Sequence, residues 1–141
     1  MEELTNGKKI KDIYMCRPIE SVEELYPLQK WYNQLINKKI SEIEISDVTR
    51  MLRQKEFIDM AVLKAIDYLK ENPFAGDMYA GELLEKLSET DTDSLTAYIG
   101  DIKIILSLAK EKNSEYEWLS DEERTEFAEL INAFSKSLGN K

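Results

Sequence analysis

The sequence predicts an all-α fold, a compact single-domain bundle of five to six helices spanning residues 1–141. Three observations carry that expectation. Only 5 Gly and 3 Pro punctuate 141 residues; the apolar residues recur mostly at spacings of three and four; and no strand-length alternation interrupts them. The one candidate for alternation, Ile43 and Ile45 in Ser41–Ser46, is short enough to be linker. A length of 141 residues suits one domain with a genuine core, and 43% hydrophobic with 33% charged residues is the balance of a globular chain.

Each element has its own justification. Residues 1–18 precede the first of them and are expected to be flexible. Ser21-Val22-Glu23-Glu24 fits a capping box that opens a helix, and Pro27 either restarts a helix at its own first turn or kinks one. Beyond it Leu28, Trp31, Tyr32, Leu35 and Ile36 form an apolar stripe, with Trp31 read as core. Ser46 is the candidate N-cap of a short helix that turns Val48, Met51 and Leu52 inward. A longer helix from Glu56 to Glu71 carries Phe57, Ile58, Ala61, Val62, Ala65, Ile66 and Leu69 over more than half its circumference, which marks it as central. Pro73 ends it by pushing Asn72 out of the helical region. A helix resumes near Tyr79 and buries Leu83, Leu84 and Leu87, with Glu82 and Lys86 paired outside. Another runs from Asp93 to Lys112 through Leu95, Ile102, Ile105, Leu106 and Ala109, and Gly100 within it suggests a closely packed neighbour. Last, Ser120-Asp121-Glu122-Glu123 is a second capping box, heading a helix with Phe127, Leu130, Ile131, Phe134 and Leu138 on one face and Gly139 at its end.

Composition excludes whole classes of chemistry. The chain has no histidine, hence no Ser-His or Cys-His nucleophile, no zincin motif and no imidazole base. Cys16 is the single cysteine, so neither an intrachain disulfide nor a Cys-rich metal site is possible. Glu82 with Glu85, and Glu123 with Glu126, lie three apart on helices, but helical di-metal sites usually add Glu-x-x-His ligands. Asp91-Thr92-Asp93-Ser94 lacks the glycine and distal glutamate of an EF-hand loop. The glycines of Gly76–Gly81 match neither a dinucleotide fingerprint nor a Walker loop. The expectation is therefore no enzyme, no metal and no cofactor. No apolar run approaches the length of a membrane span, and the opening Met1–Asp12 lacks the apolar core of a signal peptide, which points to the cytoplasm.

The net charge of −9 is unevenly spread. Residues 1–55 hold 10 basic and 9 acidic side chains, whereas residues 56–141 hold 9 and 19. The densest stretch, 115–129, sets Glu115, Glu117, Asp121, Glu122, Glu123, Glu126 and Glu129 against Arg124 alone. Such a surface repels phosphate backbones and attracts basic proteins or cations. A solvated helix face is the commoner origin of a charge run. Arg50, Arg53 and Lys55 form a short basic cluster that leaves a second reading open, a small acidic helical regulatory or adaptor protein associated with nucleic acid.

The stretch Ile45-Ser46-Asp47-Val48-Thr49-Arg50-Met51-Leu52-Arg53-Gln54, the apolar helix after it, and then Asn72-Pro73-Phe74-Ala75-Gly76-Asp77-Met78-Tyr79-Ala80-Gly81-Glu82-Leu83-Leu84 together resemble the contact-dependent growth inhibition immunity proteins. The resemblance covers about residues 20–88. The chain departs from the family pattern at Ala80, where a proline often precedes the glycine, and Arg50 sits about one position displaced. The resemblance implies an interaction protein that protects a bacterial cell by binding a cognate toxin, commonly a nuclease, in its cytoplasm. A nuclease offers a basic groove to phosphates, which gives the acidic surface a use.

Two segments are the candidates for toxin contact. One is the turn bearing Asp77, Tyr79 and Glu82; the other is the acidic segment with Glu115, Glu117, Trp118, Asp121 and Glu122, in which an aromatic ringed by carboxylates resembles a hot spot with a charged rim. The bland alternative for the turn is structural: Gly76 supplying a positive φ, Asp77 capping the next helix, Tyr79 burying its ring and Gly81 letting helices approach. For Trp118 the alternative is closure over the last helix. Cys16 is a small buried or semi-exposed thiol with no assigned role.

Overall fold

A computed structural model describes residues 7–20 and 24–139. Its helices are α1 (Ile10–Ile13), α2 (Pro27–Ile36), α3 (Ile45–Gln54), α4 (Ile58–Glu71), α5 (Glu82–Ser88), α6 (Thr92–Leu95), α7 (Ile99–Asn113) and α8 (Asp121–Gly139), with 3-10 turns at Ile40–Glu42 and Thr96–Tyr98. Among the described residues there is no strand, only an isolated antiparallel bridge between Lys9 and Lys39. The fold class is all-α, as the spacing predicts. The backbone divides into two compact units, Met1–Asp47 and Val48–Lys141.

In the N-terminal unit, α1 lies within the segment expected to be flexible, and its Ile10 is fully buried. Pro27 is the first residue of α2 and so restarts a helix instead of kinking one. The capping box at Ser21–Glu24 falls outside the described residues except for Glu24, which meets Lys30 at 3.3 Å. Trp31, Leu35 and Ile36 are buried, so Trp31 is core. Its indole N–H donates to Asp47 Oδ1 at 3.3 Å, and Asp47 Oδ2 accepts from Lys38 Nζ at 2.6 Å and from the Glu44 amide at 3.1 Å. Asp47 is only 6% exposed. A buried carboxylate is tolerated there because a cation and two N–H donors satisfy it. Asp47, not Ser46, therefore serves the start of α3, and Ser46 is already inside the helix.

The C-terminal unit is built around α4, which packs against α5, α6 and α7, while α7 packs against α8. The central position expected of this helix is what the structure has. Its start is later than predicted, because Lys55 and Phe57 both take left-handed backbone, φ 57° and 49°. The Glu56 amide reaches back to the Met51 carbonyl and the Lys55 amide to that of Leu52, a Schellman closure of α3 made without glycine. At the far end Asn72 is extended, φ −151°, as expected before Pro73.

The helix predicted over Asp93–Lys112 is interrupted. Asp91 caps α6 through the Asp93 amide, and Tyr98, at φ −119° and ψ 13°, leaves the helical region before α7 begins. Gly100 is exposed, and a Cβ there would meet nothing within 4 Å, so no neighbour packs closely on it. The second capping box is half present: the Glu123 amide donates to Ser120 Oγ at 3.2 Å. Phe127, Ile131, Phe134 and Leu138 face inward along α8.

Candidate functional site

The turn between α4 and α5 is held by hydrogen bonds from its backbone amides to carbonyls and side-chain oxygens within it. Asn72 Oδ1 accepts from the Phe74 amide at 3.0 Å, the Gly81 amide reaches the Phe74 carbonyl at 2.8 Å, and the Leu83 amide reaches that of Ala75 at 3.0 Å. Glu82 is 2% exposed, and its Oε1 accepts from the amides of Asp77 (2.8 Å) and Met78 (2.9 Å). The predicted outer pair of Glu82 with Lys86 is thus absent. Glu82 turns inward to hold the turn, and Lys86 meets Glu85 at 3.8 Å and Glu89 at 3.5 Å instead.

Gly81 keeps the close approach expected of it and also takes the positive φ expected of Gly76. Gly81 has the positive φ, 85°, and is the residue before α5; Gly76 does not, but a Cβ on it would lie 2.0 Å from the Tyr79 carbonyl oxygen. Gly81 also admits Phe127, whose ring would come within 2.9 Å of an added Cβ. Asp77 caps nothing, since the helix starts five residues later, at Glu82. The Tyr79 side chain is not sealed in either. The residue is 47% exposed, and its hydroxyl donates to Glu85 at 3.0 Å. Partial burial first, and then that hydrogen bond, push the phenol up to about 12.

The α7–α8 connection is pinned by Asn113 and Arg124. Asn113 Oδ1 accepts from the Trp118 indole at 2.8 Å, and its amide nitrogen donates to the Arg124 carbonyl at 3.2 Å. The Arg124 guanidinium donates to the carbonyls of Asn113 (3.3 Å) and Tyr116 (2.9 Å) and to Asp121 (3.0 Å). The one cation of segment 115–129 is therefore occupied with backbone carbonyls and one exposed carboxylate. Four rings close the base of the connection: Phe74 stacks on Tyr116 at 4.1 Å between centroids, and Trp118 meets Phe74, Tyr116 and Phe127 at 5.7, 4.6 and 5.2 Å. Contacts of this geometry add to the area the rings bury.

Between the turn and the connection lies a groove of about 1070 Å³. Tyr79, Ala80 and Gly81 line one side; Tyr116, Trp118, Phe127, Leu130 and Ala133 line the other. Six carboxylates border it, Glu85 on α5 and Glu89 just after it, with Glu117, Glu123, Glu126 and Glu129 opposite, and none of its described lining residues is basic. Two apolar side chains stand at its edges in water, Met78 at 77% and Leu119 at 93% exposure. Lys86 offsets part of the charge at Glu85 and Glu89; an apolar trough with a rim that stays net negative favours an amphipathic, cationic partner. Among the described residues no group of three or more His, Cys, Asp or Glu is placed to hold a metal ion, and no helix is long and apolar enough to cross a membrane.

Of the residues nominated from sequence, Tyr79, Glu117 and Trp118 line this groove together. Asp77, Glu115, Asp121 and Glu122 are exposed and stand outside its lining, and Glu82 lies beneath the turn. The lining also holds Glu85, Glu89, Leu130 and Ala133, outside the two segments expected to face the partner (76–82 and 115–129), and Met78, Leu119, Glu123, Glu126 and Glu129, which lie within those segments but are not singled out there. A signal existed for part of the set: Glu123, Glu126, Leu130 and Ala133 fall at helical spacings of three and four.

A family model described as CDI immunity proteins matches residues 12–105. No curated protein matches the chain at a significant level. The matched region holds the turn and α5, one side of the groove; the other side, from Tyr116 onward, lies beyond it.

Proposed function

Starting from the fact that the chain belongs to the CDI immunity proteins, we propose that it protects its cell by stoichiometric binding of a cognate toxin domain, a basic nuclease, with no cofactor and no catalysis of its own. The observation that supports the nuclease reading is the groove's charge: six glutamates at its border and no cation among its described lining residues. A nuclease must present positive charge to phosphates, and a protein surface that mimics the spacing of negative charge can occupy or flank that site. The contact falls on the C-terminal unit, with Tyr79, Glu117 and Trp118 at its centre and Asp77, Glu115, Asp121 and Glu122 on its rim. Glu82 acts from below, as a positioning residue for the turn.

Co-expression with the cognate toxin domain, to be sought in the gene immediately beside this one, tests the reading. Growth is restored, the purified pair elutes at one to one, and hydrolysis of nucleic acid by the toxin stops at equimolar immunity protein. Association slows as salt rises from about 50 to 500 mM, since a steered encounter is screened over a Debye length. An acidic toxin, or an association rate indifferent to salt, refutes the nuclease assignment.

A further inference from the structure

The groove combines two features, an aromatic and aliphatic interior, which a merely acidic face lacks, and six glutamates along its two sides. Tyr79 and Trp118 both line it. The Trp118 ring is held from behind by Phe74, Tyr116 and Phe127, and its indole N–H is fixed on Asn113. The part of the ring left accessible is thereby held in place before binding, which lowers the ordering cost of a hot-spot contact. Lys86 approaches Glu85 and Glu89, but Glu117, Glu123 and Glu126 have no such cation beside them among the ion pairs of the described residues.

Resting on the immunity reading, we propose that this groove receives an arginine-bearing segment of the toxin, with a guanidinium seated against Tyr79 and Trp118 and hydrogen-bonded to glutamates of the rim. Arginine fits better than lysine for three physical reasons. Its guanidinium is planar and stacks on aromatic rings, it is more weakly hydrated than an ammonium, and its fork of donors matches a carboxylate. Met78 and Leu119 then cover the aliphatic stem and exclude water from the contact.

The test uses the full chain labelled with ¹⁵N and titrated with hexa-arginine and hexa-lysine, peptides of equal charge. Shifts are expected at residues 78–81 and 116–119 and at the Trp118 indole N–H, with the Trp31 indole as an unmoved reference. Hexa-arginine is expected to bind at least about threefold tighter than hexa-lysine, the margin that stacking and bidentate pairing supply. The triple variant Glu117→Gln, Glu123→Gln, Glu126→Gln is expected to weaken arginine-peptide binding about tenfold or more. Met78→Ser with Leu119→Ser, at two exposed positions that bear no packing load, provides a second probe and lowers affinity without changing helicity. Equal affinity for the two peptides, or shifts scattered over acidic residues away from the groove, overturns the proposal. The cognate toxin separates the two readings. If wild-type protein fails to bind it, the proposed function fails; if wild-type and triple-variant proteins bind it equally, the groove assignment alone fails.

Discussion

Replacing Glu82 with alanine distinguishes a side chain that holds the turn from one that touches a partner. Its carboxylate is 2% exposed and accepts two backbone hydrogen bonds, from Asp77 at 2.8 Å and Met78 at 2.9 Å. Hydrogen bonds to charged groups contribute about 1.5–3 kcal/mol each, which sets an upper bound of about 3–6 kcal/mol for the pair. The donors belong to exposed residues, so water can replace part of what is lost, and the expected destabilisation falls to about 2–3 kcal/mol. That is roughly 6–12 °C in Tm for a domain of this size. Glu82→Gln keeps an oxygen acceptor in the same place and should cost about 1 kcal/mol. Urea unfolding followed by circular dichroism gives the stabilities, and hydrogen exchange at the Asp77 and Met78 amides reports the two bonds directly. Toxin affinity of Glu82→Ala should fall only as far as the loosened turn withdraws Met78 and Tyr79, with Glu82→Gln near wild type. A Glu82→Ala protein of unchanged stability and amide protection that nevertheless loses the toxin would refute the reasoning and make Glu82 a direct contact.

The phenol of Tyr79, raised from near 10 to about 12, favours its protonated form in the folded state. Its stabilising contribution is therefore fully present below the unfolded value near 10 and is lost as pH climbs through about 12; spectrophotometric titration should show a phenol ionising near 12, a step that Tyr79→Phe should remove. The glycines give opposite signs. Gly81→Ala places a Cβ at φ 85° and within 2.9 Å of Phe127, and should cost roughly 2–4 kcal/mol by thermal unfolding, from left-handed strain and forced repacking together. Gly100→Ala, in an exposed helical position with nothing within 4 Å, should stabilise by about 0.5 kcal/mol. A stabilising Gly81→Ala would contradict the packing of the turn against α8.

Periodicity made the helices and their inward faces legible. Leu83, Leu84 and Leu87, or Phe127, Ile131, Phe134 and Leu138, are buried as their spacing requires, because a helix imposes its period on the sequence locally. Boundaries were less legible. The left-handed Lys55 and Phe57 at the α3–α4 corner, and the break at Tyr98, carry no glycine or proline to announce them. There, backbone geometry is dictated by how successive helices must pack. The turn shows the same limit at the level of single residues. Its glycines are recognisable as necessary, but that Gly81 takes the positive φ, and that both lack room for a Cβ, depends on where the backbone turns and where the Tyr79 carbonyl and the Phe127 ring stand.

Composition by itself determined that no imidazole chemistry and no intrachain disulfide are available to this chain, and that its negative charge belongs to residues 56–141. These are properties of a list of side chains and hold in any conformation. The family's imprint was also readable in the order of residues from Ile45 to Leu84. Only the tertiary structure decided that Tyr79 and Trp118, 39 positions apart in the chain, line one groove. It decided too that Glu82 faces inward while Glu85 and Glu89 border that groove, and that Arg124 bonds to backbone carbonyls and is not among the groove's described lining residues. A charge count sums over residues, whereas a binding surface depends on which of them share a face and which are already satisfied. That is set by the packing of α4, α5, α7 and α8.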